Sequence, residues 1–247
     1  MTKDDHKRMA RRTCLRGEVL ALCGILAAIT ISQAVAQAKD NIPVNPKLLV
    51  TPPEGAIVLF GGKAEQIRDN WYARRSTDPP GWTVDDKGVA TPNKRDISSK
   101  QEFGDCYLHV EFREPLQGSG NSGVGMEGRY EIQILNSHGK KPEAHQCGAI
   151  YSQTPPMVIA SKPAGEWQTY DIFFRAPRFD TAGKLVETAR VTVYQNETLI
   201  HEDAEIKGPT GIHYEQYKGE VPKGPIVLQG DHDTVQFRNV WLVPAKY

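Results

Sequence analysis

The chain has 247 residues with 30 basic and 30 acidic side chains, and its formal net charge at pH 7 is zero. A protein that binds nucleic acid or an anionic membrane surface usually carries an excess of positive charge. The composition therefore predicts neither partner and is typical of a globular protein.

The first segment has the three parts of a secretory signal. Six basic residues precede an apolar run of thirteen residues at Val19–Ile31, and the small residues of Ala34-Val35-Ala36 follow. A membrane-spanning helix needs roughly 20 apolar residues, so this run is too short for an anchor. The sequence predicts a signal peptide at residues 1–36, export to the periplasm or the extracellular space, and no stable membrane insertion after cleavage.

Removal of residues 1–36 takes away six basic and three acidic side chains, which leaves 24 and 27 in a slightly acidic mature chain. Two cysteines remain, Cys106 and Cys147. An oxidising compartment allows a disulfide between them. Two buried thiols that pack as small hydrophobic groups fit the sequence equally well.

Residues 37–55 are polar and rich in proline, which predicts an extended linker before one domain at residues 56–247. In that domain most ordered segments show the alternation and the β-branched or aromatic composition of strands. The predicted strands are AIVLF (56–60), CYLHVEFR (106–113), SGVGME (122–127), RYEIQIL (129–135), WQTYDIFFRA (167–176), RVTVYQN (190–196), TLIHED (198–203), PIVLQ (225–229) and TVQFRNVWLV (234–243).

A hairpin turn is predicted at Gln195-Asn196-Glu197, and a short helix is predicted only near Trp71. Many short strands without helical periodicity predict an all-β protein, an antiparallel β-sandwich of the jelly-roll type. Two long segments, 137–163 and 207–224, lack a strand pattern. Loops of this length in a compact domain are usually functional, so we expect them beside the site.

Polar side chains occupy one face of two predicted strands. In GRYEIQILNS, Arg129, Glu131 and Gln133 alternate with apolar residues, and in CYLHVEFR the alternating polar residues are Tyr107, His109, Glu111 and Arg113. A solvated outer face explains each residue by itself. Because consecutive strands are often neighbours, the two polar faces can instead form one patch.

Two flanking segments add further polar groups. GSGNSGVG contributes Asn121 and small residues, beside which a ligand can approach the backbone. LQGDHDT contributes Gln229, Asp231, His232 and Asp233 at a turn. The histidine is either simply exposed or oriented by a carboxylate at the edge of the site. No cofactor is predicted, although the Asp-His-Asp run leaves a divalent metal open without matching a ligand signature.

Together these stretches resemble the DUF1080 family, described as 3-keto-disaccharide or 3-keto-glycoside hydrolases. The resemblance is carried by IVLFGGK, GWTVDDKGV, LHVEFREP, NSGVGMEGRYEIQIL, CGAIY, EWQTYDIFFRAPRFD, KGPTGI and GPIVLQGDHDTVQFRNVWLVP, in the family's order through most of residues 56–244. LFGGK replaces the usual LFDGK, and LQGDHD has one residue more than the usual LQDHG before His232. The resemblance implies a concanavalin A-like fold, export and a sugar substrate.

A glycoside oxidised at C3 has an acidic C2 proton, so its C1–O bond can break by elimination, and water then adds to the enone. This route needs a base, a group that stabilises the enolate oxygen and an acid for the leaving group. The candidates are Glu131 as base, Arg129 or Arg113 at the enolate oxygen, and His232 or His109 as acid. An ordinary glycosidase would instead use two carboxylates, Glu111 and Glu131.

The predicted partner is a small oligosaccharide or glycoside. The predicted catalytic residues are Glu131, His232, Glu111 and Arg129, and the predicted substrate-binding residues are His109, Arg113, Asn121, Gln133, Tyr151, Gln229 and Asp231. A non-catalytic, lectin-like module is the main alternative, because this fold also serves binding proteins. Its sugar contacts would be Trp82, Tyr151, Tyr214 and Gln133. A protein-interaction domain of an exported assembly is the third hypothesis.

Overall fold

A computed structural model describes residues 48–210 and 219–245, which belong to one compact unit spanning Val44–Ala245. These residues form one short helix, α1 (Ala64–Asn70), and fifteen strands. The strands are β1 (Ile57–Phe60), β2 (Trp71–Ala73), β3 (Thr83–Val84), β4 (Ala90–Thr91), β5 (Ile97–Phe103), β6 (Cys106–Arg113), β7 (Ser122–Met126), β8 (Tyr130–Ile134), β9 (Gln168–Arg175), β10 (Arg178–Phe179), β11 (Leu185–Glu187), β12 (Arg190–Gln195), β13 (Thr198–Glu205), β14 (Gly224–Leu228) and β15 (Gln236–Pro244).

Most strands belong to two antiparallel sheets that share one hydrophobic core. The larger sheet has the order β13-β12-β9-β6-β15-β4-β3, with β1 also paired to β15, and the smaller sheet has the order β2-β5-β14-β7-β8. Apolar residues of the long strands are fully buried between the sheets, such as Leu108 and Val110 of β6 and Ile132 and Ile134 of β8. The predicted antiparallel β-sandwich is confirmed.

Strands whose apolar residues alternate regularly were predicted from the sequence, whereas strands without alternation were missed. The hairpin is present, since Gln195 pairs with Thr198 and the turn residues Asn196 and Glu197 have φ values of 48° and 72°. The sequence analysis missed β5, because ISSKQEF has a polar middle without alternation. Its strand conformation depends on its partners β2 and β14, which flank it in the smaller sheet.

The outer edge of β8 is covered by two long loops. Tyr151 N donates to Glu131 O at 3.1 Å, and Gln133 N donates to Ala149 O at 3.0 Å. On the same edge, Glu131 N donates to Thr210 Oγ1 at 2.8 Å. Segments 137–163 and 207–224 therefore both contact the strand that carries Glu131, although residues 211–218 lie outside the described part.

The predicted signal peptide also lies outside the described residues, so export stays a prediction. In the described ranges, no helix has the length and apolar character needed to cross a membrane. Cys106 and Cys147 are both free and buried, and Cys147 Sγ lies 3.1 Å from Tyr170 Oη. The thiols therefore pack as small buried groups in this structure.

Candidate active site

The two polar strand faces do not form one patch, so that interpretation of the sequence was wrong. β6 lies between β9 and β15 in the larger sheet, whereas β8 is the last strand of the smaller sheet. Each strand turns its apolar face towards the shared core. Their polar faces therefore point away from each other, on opposite sides of the sandwich. Between β6 and β7 the chain passes from the larger sheet to the smaller one. The alternation of residues within a strand does not indicate which sheet the strand joins.

The polar face of β6 forms a buried ion cluster. His109 Nδ1 lies 2.8 Å from Asp171 Oδ1, and Arg238 Nε donates to Glu111 Oε2 at 2.7 Å. Burial opposes the charged form of His109, but hydrogen bonds to Asp171 and Glu111 raise its pKa to about 8. Neither His109 nor Glu111 has any exposed surface. These two predicted site residues belong to a buried ion cluster of the larger sheet, on the side of the sandwich opposite Glu131.

Arg113, at the end of the same strand, also lies in the larger sheet. Its Nε donates to Gln236 Oε1 at 3.0 Å, and its guanidinium lies 4.8 Å from the centre of the Trp167 ring. The sandwich thus separates Arg113 from the polar face of β8. The predicted roles of His109, Glu111 and Arg113 in one site with Glu131 are corrected accordingly.

Glu131 lies on the face of β8 that points away from the core, and its side chain lies across β7. In the pairing of these strands Gly125 is opposite Glu131, and Gly123 is opposite Gln133. A Cβ atom at Gly123 would lie 2.5 Å from Glu131 Oε1. The glycine is therefore required for the carboxyl group to lie against the sheet, where Glu131 is only 3% exposed.

The electrostatic environment of Glu131 favours its neutral form. Burial raises the pKa of this carboxyl to about 8, against the opposing effects of a hydrogen bond from Gln229 and the positive charge of Arg74. Gln229 directly follows β14, and its backbone N–H donates to Gly123 O at 3.0 Å. A carboxyl group that titrates near neutral pH is suited to proton transfer.

A polar cavity of about 340 Å³ opens on the same side of the smaller sheet, and Glu131 itself is not part of its lining. It is lined by Ala73, Arg74, Arg75, Ser76, Asp78, Arg95, Asp96 and Asp231. Three of these residues, Arg74, Asp96 and Asp231, also act electrostatically on Glu131. The volume is in the range of small-ligand sites, and the lining offers hydrogen-bonding groups of both kinds to a hydroxylated molecule.

The structure brings together six of the predicted site residues on the smaller sheet: Asn121, Glu131, Gln133, Gln229, Asp231 and His232. Gln133 Nε2 lies 3.5 Å from Asn121 Oδ1. His232 Nε2 lies 3.6 Å from Asp231 Oδ1. The cluster combines residues from the β7–β8 pair with residues from the turn after β14, as the sequence analysis expected.

The acidic residues of the Asp-His-Asp run point to different partners. Asp231 lines the cavity together with Asp96. Asp233 Oδ2 instead accepts hydrogen bonds from Asn121 N at 2.9 Å and Ser119 Oγ at 2.6 Å, which lowers the pKa of Asp233. Within 48–210 and 219–245, no three His, Cys, Asp or Glu side chains are grouped so that they could hold a metal ion.

Arg129, predicted as a catalytic residue, does not line the cavity, whereas Arg74, which had no predicted role, does. The guanidinium of Arg129 turns to the β7–β8 connection, where Nε donates to Gly219 O at 3.1 Å and Nη1 donates to Glu127 O at 3.0 Å. Arg74 lies in the cavity wall, where its side chain is 4% exposed. The sequence around Arg74 has no periodic pattern, so only the pairing of β2 with β5 places this cation near Glu131.

The predicted aromatic sugar contacts have other positions. Trp82 is buried, stacks on Phe237 with ring centres 5.5 Å apart, and donates from Nε1 to Arg95 O at 2.7 Å. The half-buried Tyr151 packs its ring edge-on against His145, at 5.1 Å between ring centres. Tyr214 lies outside the described residues. Trp82 is therefore a core residue and offers no face on which a sugar can stack.

Comparison with solved structures identifies the class of protein. The chain is similar to a candidate glycosyl hydrolase from Parabacteroides distasonis ATCC 8503, with 35% identity, coverage of 78% of this chain and 85% of that chain, and a TM-score of 0.68. Another candidate glycosyl hydrolase of this organism is 23% identical, with coverage of 76% and 98% and a TM-score of 0.55, and shares the fold. These findings define a carbohydrate-active, glycosyl-hydrolase-like protein.

The chain belongs to the family described as 3-keto-alpha-glucoside-1,2-lyase-like domains, whose profile matches residues 55–243. The match covers β1 to β15 almost completely and includes Glu131 and the cavity residues. It confirms the family resemblance found in the sequence. No curated protein matches the chain.

Proposed function

We propose that this protein is an exported enzyme that cleaves 3-keto-glycosides by elimination and then hydrates the product. The observation that carries the proposal is the carboxyl group of Glu131 on a polar sheet face, where burial raises its pKa to about 8 and three residues that line a polar cavity act on it electrostatically. Membership of the 3-keto-alpha-glucoside-1,2-lyase-like family supports the substrate class. The signal predicted at residues 1–36 supports export.

Glu131 acts as the base in this mechanism. The C3 ketone acidifies the C2 proton, and the ionised carboxylate removes it. Negative charge then develops on the ketone oxygen, and a cation held in position stabilises it. Arg74 is suited to this role because it lines the cavity and acts electrostatically on Glu131.

Departure of the C1 oxygen requires a proton, which the turn containing Asp231 and His232 supplies. The same groups work in reverse during hydration, when water adds at C1 and a proton returns to C2. The predicted two-carboxylate alternative with Glu111 is not supported, because Glu111 is buried in the larger sheet. The lectin-like alternative loses the contact expected from Trp82, which is buried in the core.

The test is incubation of the purified protein with a 3-keto-α-glucoside and with its unoxidised parent. We expect release of the aglycone and of 3-keto-glucose from the oxidised substrate only. Cleavage of the parent at an equal or higher rate would contradict elimination. Saturable binding of the parent without turnover of either sugar would support a lectin-like module. A parallel series with EDTA shows whether a metal takes part.

The substitution Glu111→Gln tests whether Glu111 of the larger sheet contributes to turnover or only to stability. We expect kcat for the 3-keto-α-glucoside to stay within about twofold of the wild-type value, because Glu111 has no access to the cavity. The free energy of unfolding should fall by ~3 kcal/mol, since Arg238 and His109 lose their buried partner. Chemical denaturation and initial rates measure the two effects.

Glu187→Gln is the matched control, because Glu187 forms an exposed ion pair with Arg175. Exposed pairs contribute about 0 to 1 kcal/mol, so this variant should resemble the wild type in both assays. A loss of turnover in Glu111→Gln at unchanged stability would return Glu111 to the candidate active site.

A further inference from the structure

Asp231 differs from the other cavity residues because it lies in the same wall as a second carboxyl group, that of Asp96, which accepts a hydrogen bond from the N–H of the residue before Asp231. Burial and the negative charge of Asp96 raise the pKa of Asp231, against the opposing charge of His232. Two neighbouring carboxyl groups resist being ionised together. Asp96 accepts from Arg74 Nη1 at 2.9 Å and from Gly230 N at 2.9 Å. Asp96 is therefore paired with the Arg74 cation, and Asp231 is the carboxyl group of the two whose pKa is raised.

The backbone before Asp231 is held tightly, which fixes the position of its carboxyl group. A Cβ atom at Gly230 would lie 2.5 Å from Arg95 O and 2.7 Å from Trp82 Cζ2. The preceding residue is also tied down, since Ser122 Oγ donates to Gln229 O at 2.9 Å. Asp231 therefore presents its carboxyl group from a rigid turn in the cavity wall.

His232 is the competing acid in the same turn, and its position is less suitable. Asp231 lines the cavity and His232 does not. The two side chains are similarly exposed, and His232 Nε2 lies 3.6 Å from Asp231 Oδ1, so the distinction between them is that only Asp231 lines the cavity. The placement of His232 fits a residue that accompanies Asp231 at the rim better than one that faces the bound sugar.

We propose that Asp231 is the catalytic acid that protonates the leaving group, and that Asp96 is a positioning residue that keeps the proton on Asp231. This inference rests on the proposed function. In the elimination, Glu131 takes the C2 proton, the C2–H electron pair forms the C1=C2 bond, and the C1–O bond breaks. The departing oxygen takes the proton of Asp231, so the products are an enone and a neutral alcohol.

Hydration restores both carboxyl groups. Asp231, now a carboxylate, takes a proton from water while the water oxygen bonds to C1. Glu131 returns its proton to C2, and the C1=C2 bond becomes a single bond. The net reaction is hydrolysis of the glycoside without any oxidant or reductant, and each group ends in its starting protonation state.

The test compares two 3-keto-α-glucosides that differ only in the leaving group, methanol or 4-nitrophenol. For Asp231→Asn we expect kcat/KM on the methyl glycoside to fall by about 100-fold or more, the usual size of a general-acid contribution. On the 4-nitrophenyl glycoside the change should stay within about threefold, because 4-nitrophenolate leaves without a proton. His232→Gln is the matched control and should affect both substrates equally.

Asp96→Asn adds a readout that a purely structural role would not change. The competent form of the enzyme has Glu131 ionised and Asp231 protonated, so the methyl glycoside should give a bell-shaped pH profile of kcat/KM. Without the Asp96 carboxylate, Asp231 loses its proton more readily. The acidic limb of the profile should therefore move to lower pH, and the maximum should decrease.

An equal loss of kcat/KM on both substrates in Asp231→Asn would overturn the assignment. A leaving-group dependence that appears only in His232→Gln would give the role to His232. Circular dichroism and thermal melting check that each variant is folded, and the pH profile of Asp96→Asn decides the question if Asp231→Asn does not fold. Absence of cleavage by the wild-type protein would overturn the proposed function itself, and the role of Asp231 with it.

Discussion

Glu131→Gln is expected to lower kcat for a 3-keto-α-glucoside by about 1,000-fold, within the range for loss of a general base. The glutamine is close in size to the glutamate, so it fits the space above Gly123, but it cannot accept the C2 proton. The measurement is the initial rate of enone and 3-keto-glucose formation. Binding of the parent sugar should persist, because the other cavity residues are unchanged.

The same substitution should stabilise the protein at pH 8. Burial raises the pKa of Glu131 from 4.5 to about 8, so the folded state holds a proton that the unfolded state has already released. The stability contributed by this proton is complete below pH 4.5 and is lost as the pH rises to about 8. Each unit of pKa difference between the folded and unfolded states changes the free energy of unfolding by about 1.4 kcal/mol. Glutamine does not ionise, so the stability of the variant does not change with pH in this way.

We therefore expect the ionised Glu131 to destabilise the folded protein, although the reaction needs it. Thermal melting at pH 4.5 and at pH 8 tests this expectation. The advantage of Glu131→Gln over the wild type should be larger at pH 8. Glu102→Gln, an exposed position on β5 of the same sheet, is the control and should change neither the rate nor the melting temperature. Turnover within a few fold of the wild type would remove Glu131 from the mechanism.

The second large effect is expected in the pH dependence of a substrate with a good leaving group. With a 4-nitrophenyl 3-keto-α-glucoside no acid is needed, so kcat/KM follows the ionised fraction of Glu131 in the free enzyme. Since this pKa is raised to about 8, kcat/KM should increase about tenfold per unit from about pH 6 and level off above pH 8.

Hydroxide also promotes elimination from 3-keto-glycosides, so the rate without enzyme and the rate of Glu131→Gln are subtracted at each pH. A profile that falls between about pH 6 and pH 8 would mean that the protonated form of Glu131 is the active one. Glu131 would then be the acid of the reaction, and the base would have to be sought elsewhere in the cavity wall.

The sequence by itself determined the fold class and half of the candidate site. Period-two alternation is a local property of a strand, so β6, β8 and the β12–β13 hairpin could be recognised from their residues. The same alternation identified Glu131 and Gln133 as outward-facing residues of an otherwise apolar strand. The polar turn after β14 could be recognised because Gly, Asp and Gln are unusual between two hydrophobic strands.

Only the tertiary structure decided which strands share a sheet. The polar faces of β6 and β8 carry similar residues, yet one face holds a buried ion cluster and the other adjoins the cavity. Arg74 and Asp96 lie together because β2 pairs with β5, and both act electrostatically on Glu131 from the same sheet. Such pairings join residues far apart in the chain, and their free energy comes from burying both sheets against one core, which no local pattern records.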